Sequence, residues 1–156
     1  MRHLAILGGG PAGYVAASHA AAHGARVTLI DPKPLGGTCL HQGCIPTKVL
    51  VESCVLLEKF KRAEDFGLQA VGSISADWSS LKQRFGEVVA MLGEGIDRLM
   101  ENRSVNCIRG YGRFIDEDTL CVADEVVRPD ATLICTGSYP TAPRGFDIDS
   151  TVIGTS

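Results

Sequence analysis

Two cysteines five positions apart, Cys39 and Cys44, stand in the segment Gly36-Gly37-Thr38-Cys39-Leu40-His41-Gln42-Gly43-Cys44-Ile45-Pro46-Thr47-Lys48, at the entry to an expected helix. A helix N-terminus favours the thiolate, which is the reactive form of cysteine. Thiols this close can cycle between dithiol and disulphide and exchange with an outside substrate through a mixed disulphide. Two other readings fit the same residues. Cys39, His41 and Cys44 could ligate a metal, although the spacing is unusual for zinc and no second ligand pair follows. The pair could also be a purely structural disulphide, which is uncommon inside cells.

A second chemical feature lies upstream. In Gly8-Gly9-Gly10-Pro11-Ala12-Gly13, the residues Gly8, Gly10 and Gly13 fill the G-x-G-x-x-G positions. Gly8 allows a tight turn out of a strand, Gly10 lets a pyrophosphate approach the backbone, and Gly13 lets a helix pack close to the sheet. Pro11 falls in the first helical turn, where its missing N–H costs nothing. The free amides and the helix dipole then face phosphate charge. Asp31 follows Gly13 by eighteen residues, about where an acid should accept from a ribose hydroxyl. Strand, glycine turn, helix, strand and acid in this order predict a dinucleotide site; the competing reading is a mere tight turn.

The elements that must hold these groups follow from periodicity. Residues 3–8 and 25–30 are short apolar runs suited to buried parallel strands, and residues 11–24 between them are Ala-rich and helical, giving a βαβ unit. A Pro/Gly loop spans 32–37. A helix is expected from Pro46 to about Glu64, with Val49, Leu50, Val55, Leu56 and Phe60 on one face. Residues 66–75 read as loop, and a second amphipathic helix is expected over 77–102, capped by Asp77 or Ser75. Short strands over 105–109, 111–116 and 119–127 predict a small antiparallel meander, residues 131–135 another buried strand, and 138–156 a Pro/Gly/Ser/Thr-rich tail. Cys54, Cys107, Cys121 and Cys135 are expected as small core residues. The chain shows no internal repeat.

Composition narrows the functional class. The 156 residues, 45% hydrophobic, suffice for one globular domain with its own core. Fifteen Lys and Arg against eighteen Asp and Glu lack the basic excess that nucleic acid or an anionic membrane calls for. The start, Met1 to Leu7, runs into three glycines without the apolar stretch of a signal peptide or a membrane span, which predicts a soluble, cytoplasmic protein.

Three segments together resemble the pyridine nucleotide-disulphide oxidoreductases: Gly8 to Gly13, Gly36 to Lys48, and Cys135-Thr136-Gly137-Ser138-Tyr139-Pro140. Within that family the likeness is to the dihydrolipoyl dehydrogenase branch, with Leu after the first cysteine and Ile-Pro-Ser/Thr-Lys after the second. It covers essentially the whole chain. The resemblance implies a Rossmann-like α/β fold of the FAD/NAD(P)-binding type: a parallel sheet, flanking helices and a small antiparallel β-meander. Residues 1–156 would be the N-terminal segment of an FAD-binding domain. Gly8, Gly10 and Gly13, with Pro11 and Ala12, would hold the FAD pyrophosphate. Asp31, with Pro32 and Lys33, would serve the adenosine ribose. Gly37 and Thr38 would reach further phosphate oxygens, Lys48 would lie beside the flavin, and Gly112 with Thr136, Gly137 and Ser138 would complete the pocket. Cys39 would be the thiol that exchanges with substrate and Cys44 the flavin-proximal one, with no metal.

By the same resemblance, electrons would pass from dihydrolipoamide through the Cys39–Cys44 pair to FAD and then to NAD. The partners would be lipoyl-bearing 2-oxo acid dehydrogenase complexes or glycine cleavage proteins, and the parent would be a homodimer. A mercuric or other flavin disulphide reductase is the nearest alternative, and a non-catalytic dinucleotide-binding module the more distant one. The chain departs from the family at Asp31, where Glu is usual, at His41-Gln42, where Asn and an apolar residue are usual, and at Cys135, where Ala is usual. The NAD domain, the returning segment of the FAD domain and the dimerisation domain are not matched. None of the four histidines, His3, His19, His23 and His41, falls in the family's catalytic His-Glu motif. The expectation is therefore an N-terminal piece, inactive alone, with apolar surface left bare and prone to self-association.

Overall fold

The computed structural model describes residues 1–69, 71–146 and 148. They fall into two compact units: Met1–Gly37 together with the chain from Gly95, and Thr38–Glu94.

The first unit is built on a parallel sheet of β1 (His3–Leu7), β2 (Arg26–Asp31), β3 (Asn106–Arg109) and β7 (Ala131–Ile134), in the order β3-β2-β1-β7. Its register runs from His3 opposite Arg26 to Leu7 opposite Ile30, and from Leu4 opposite Ala131 to Leu7 opposite Ile134. Helix α1 (Pro11–Ala22) joins β1 to β2. Strand alternation divides the apolar residues between two faces. Ile6, Val27 and Leu29 pack with Ala17 of α1, with Met100 and with Val105. On the opposite face Ala5, Leu7 and Ile30 pack with Leu120, Val122 and Val127. Those last three residues belong to an antiparallel sheet of β4 (Gly112–Phe114), β5 (Leu120–Val122) and β6 (Glu125–Val127). Burying Ile6, Leu29 and Ile30, each about 1% exposed or less, stabilises the unit by roughly 1.5–3 kcal/mol per side chain. This is the α/β class expected from the sequence.

The meander differs from expectation in one strand. Residues 105–109 do not open it: β3 pairs in parallel with β2, Leu29 opposite Cys107. A parallel pairing needs a long crossover, and the chain between β2 and β3 supplies one. The run over 119–127 splits into β5 and β6 at a turn where Ala123 takes φ +51°. Residues 147 and 149–156 of the expected tail lie outside the described residues.

The second unit holds α2 (Gly37–His41) from Thr38 on, α3 (Cys44–Lys61), a 3-10 turn (Ala63–Phe66) and most of α4 (Trp78–Asn102). The helix expected from Pro46 starts at Cys44 instead, because proline is tolerated in a first helical turn. Asp77 is the cap of α4: its carboxylate accepts from the amides of Ser79 and Ser80. Its pKa falls to about 2, mainly through the Ser80 and Ser79 side-chain hydrogen bonds. Leu81, Phe85, Val88, Ile96 and Leu99 form a half-buried stripe along α4, whereas Trp78 is exposed and meets Phe85 edge-on.

No residue of α3 is fully buried, and Val55 and Leu56 of its expected apolar face are exposed. Cys54 and Cys107 are also exposed, not core residues as expected; one lies on the open side of α3 and the other on the edge strand β3. Cys121 and Cys135 are half-buried, Cys135 packing beside the α1 core. Among the described residues no helix is long and apolar enough to cross a membrane.

Candidate functional site

The glycine loop owes its path to steric closeness. Gly8 turns the chain out of β1 at φ +105°, and a Cβ there would also strike the Cys135 carbonyl. A Cβ at Gly13 would overlap the Gly8 carbonyl oxygen, so only glycine lets α1 sit this close to the turn. Gly10 and Gly37 bring two backbones together: a Cβ at Gly37 would lie 2.8 Å from the Gly10 Cα. The first hydrogen bond of α1 runs from Tyr14 N–H to Gly10 O at 3.0 Å, so the amides of Ala12 and Gly13 precede it. No side chain caps this end of the helix and no acid lies in its first turn. The positive end of the dipole is thus left for an anion. Pro11 and Ala12 are exposed. This donor set fits a diphosphate.

Asp31 does more than the sequence suggests. Its Oδ2 accepts from Gly9 N–H at 2.6 Å and its Oδ1 from Lys33 N–H at 2.7 Å, tying the end of β2 to the glycine loop. Gly36 N–H donates to Gly9 O at 2.8 Å, and a Cβ on Gly9 would collide with Leu35. Gly9, Leu35 and Gly36 therefore belong to the cradle, although the fingerprint spacing does not single them out. The one sequence signal was the unbroken glycine triplet. Pro32 is half-buried and Lys33 exposed.

The rest of the first unit's candidates gather at the same end of the sheet. Gly112 fits against the tips of Leu7 and Ile30. Cys135 N–H donates to Leu7 O at 2.7 Å, which sets the end of β7 beside Gly8, and the exposed Thr136, Gly137 and Ser138 follow. These groups collect at the carboxyl ends of the parallel strands, where the order turns from β2 on one side of β1 to β7 on the other. Open α/β sheets bind ligands at such a switch point.

In the second unit the corner between α2 and α3 brings the two sulfurs together. Gln42 N–H donates to Thr38 O at 2.9 Å and Thr47 N–H to Gly43 O at 3.1 Å, closing the turn. All six cysteines are free thiols; Cys39 is half-buried and Cys44 exposed. The Cys39 pKa is raised, chiefly because its S–H is held by the Cys44 side chain, with burial and the Cys44 charge adding, while the Lys48 ammonium opposes the rise. Two adjoining thiols with one cation nearby can exchange with a disulphide or dithiol. Thr38 and Lys48 are both exposed. Among the described residues no three His, Cys, Asp or Glu side chains converge as a metal site.

The sequence profile described as pyridine nucleotide-disulphide oxidoreductase matches residues 2–153. A dihydrolipoyl dehydrogenase of Bacillus subtilis is 45% identical over 142 residues, covering 88% of this chain and 31% of its own length. One from Acholeplasma laidlawii is 36% identical, covering 90% of this chain and 42% of its own. Among solved structures, the HOCl-induced flavoprotein disulphide reductase RclA of Escherichia coli, in a Cu(II) complex, has a TM-score of 0.73 and 28% identity, over 90% of this chain and 29% of that one. The chain therefore spans less than half the length of these relatives.

Proposed function

The chain belongs to the pyridine nucleotide-disulphide oxidoreductase family, and from that premise we propose that it is the N-terminal part of the FAD domain of a dihydrolipoyl dehydrogenase. The observation that carries the reading is the meeting of the Cys39 and Cys44 side chains beside Lys48. In the oxidising half-reaction a substrate thiolate attacks Cys39 Sγ, the Cys39–Cys44 bond breaks and Cys44 leaves as thiolate. The second substrate thiol then displaces Cys39, so the dithiol leaves as a disulphide and two electrons remain on the protein thiols. Lys48 favours the charged form of Cys39 and so its departure.

FAD, when bound, would supply the two-electron acceptor for this dithiol, with NAD as the final acceptor in the whole enzyme. The Ala12 and Gly13 amides would hold the pyrophosphate at the start of α1. Asp31, with each oxygen used only once, would accept from the ribose hydroxyl. The NAD-binding, returning FAD and dimerisation segments belong to the remainder of a chain of the relatives' length. The working enzyme is a cytoplasmic homodimer serving lipoyl-bearing 2-oxo acid dehydrogenase complexes or glycine cleavage proteins.

The test is to add dihydrolipoamide to the FAD-loaded protein and follow the visible flavin absorbance. Bleaching that Cys44→Ser abolishes is expected; equal bleaching in the variant overturns the assignment. The likeness to RclA supports a second reading, a related flavin reductase of another disulphide. Competition between substrates separates the two.

A further inference from the structure

On the exposed side of α1, away from its glycine end, two histidines face each other. His19 and His23 are one helical turn apart, with ring centroids 4.3 Å apart and planes tilted by 37°. His23 Nδ1 lies 2.9 Å from the His19 carbonyl oxygen. A carbonyl can only accept, so Nδ1 of His23 carries the proton and its Nε2 is left with a free lone pair. That arrangement, an imidazole whose other nitrogen donates to a backbone carbonyl, is how metal-ligating histidines are held.

The surroundings favour a cation. Helix α1 carries no Lys, Arg, Asp or Glu between Pro11 and Ala22, so no side-chain ion of that helix competes for the rings or repels a metal. The pair sits at the helix C-terminus, the negative end of the dipole. We propose that His19 and His23 form a two-imidazole chelate for a borderline transition-metal ion such as Zn(II), Ni(II) or Cu(II), with water filling the remaining positions. Imidazole nitrogen suits these metals, and adjacent turns of a helix present two such nitrogens on one face. The site shares no residue with the thiol pair or with the dinucleotide cradle.

The test is Zn(II) added to the ¹⁵N-labelled protein while the imidazole nitrogens are followed by NMR, so that zinc bound to thiols elsewhere does not mimic the result. The expected outcome is that Nε2 of His19 and Nε2 of His23 move together at equimolar metal. His19→Gln or His23→Gln should each weaken binding by about tenfold or more and abolish the shift of the remaining ring at that concentration. The other imidazole signals, unchanged in the variants, report that the fold is intact. Zinc uptake that leaves both rings unmoved, or one ring that responds identically when the other is replaced, overturns the proposal.

Discussion

Asp31→Ala removes two acceptors at once, and the structure sets the size of the loss. The Gly9 amide is buried, and its partner is a carboxylate oxygen at 2.6 Å. Leaving a buried donor unpaired costs about 1–3 kcal/mol, and a bond to a charged acceptor lies in the upper part of that range. The Lys33 amide is exposed and turns to water, which costs about 0.5 kcal/mol. The sum is about 2–3 kcal/mol. For a chain of this length that lowers the melting temperature by roughly 4–12 °C. Asp31→Asn keeps one oxygen, which can serve only one of the two amides while its NH₂ faces the other, so about 1–2 kcal/mol should go. Thermal melts by far-UV circular dichroism, in the absence of FAD, give the comparison. If Asp31→Ala melts with the unaltered protein, the carboxylate does not latch the loop and its only place is at a ligand.

Gly13→Ala sets a Cβ onto the Gly8 carbonyl oxygen; a backbone atom cannot yield as a side chain does, and a loss of about 1–3 kcal/mol is expected from urea midpoints, whereas Gly86→Ala, with open space around it, should be neutral or stabilising. Cys44→Ala removes the largest influence raising the Cys39 pKa, so Cys39 should alkylate with iodoacetamide faster at pH 8; Lys48→Gln should slow it. An unchanged pH–rate profile in both refutes the coupling. Asp77→Ala should shorten α4 from its N-terminus, read as lost amide protection at Leu81. Because the folded pKa of Asp77 is depressed from 3.8 to about 2, its contribution is complete above the ordinary value and is lost as the pH falls through that window. The variant should therefore show a shallower acid dependence there.

The chemistry-bearing residues were legible because their rules are local. Glycine spacing reports what a turn and a close helix demand of neighbouring backbone, and two cysteines five residues apart at a helix entry cannot separate far. The apolar runs over 3–8 and 25–30 are likewise strands on their own evidence. The 105–109 strand shows the limit: its alternation fixes that it is a strand but not its neighbour. Pairing with β2 is decided by a crossover of dozens of residues that returns the chain to the free edge of β2.

Asp31 is similar. Its position after β2 marks it as an acceptor, yet its engagement with Gly9 and Lys33 depends on a loop folding back over the strand end. His3, at the other end of the sheet, is an N-terminal residue of no evident pattern, and folding buries it between Thr28 and Arg26. Cys54 and Cys107 are exposed where the sequence suggests core, because a small apolar residue reads alike on either side of a helix or at the edge of a sheet. Sequence by itself determined most of the elements and the spacing of the glycines and the cysteine pair, since these depend on residues near one another in the chain. Tertiary structure alone decided partners and burial, because both are set by surfaces that meet only after the chain has closed on itself.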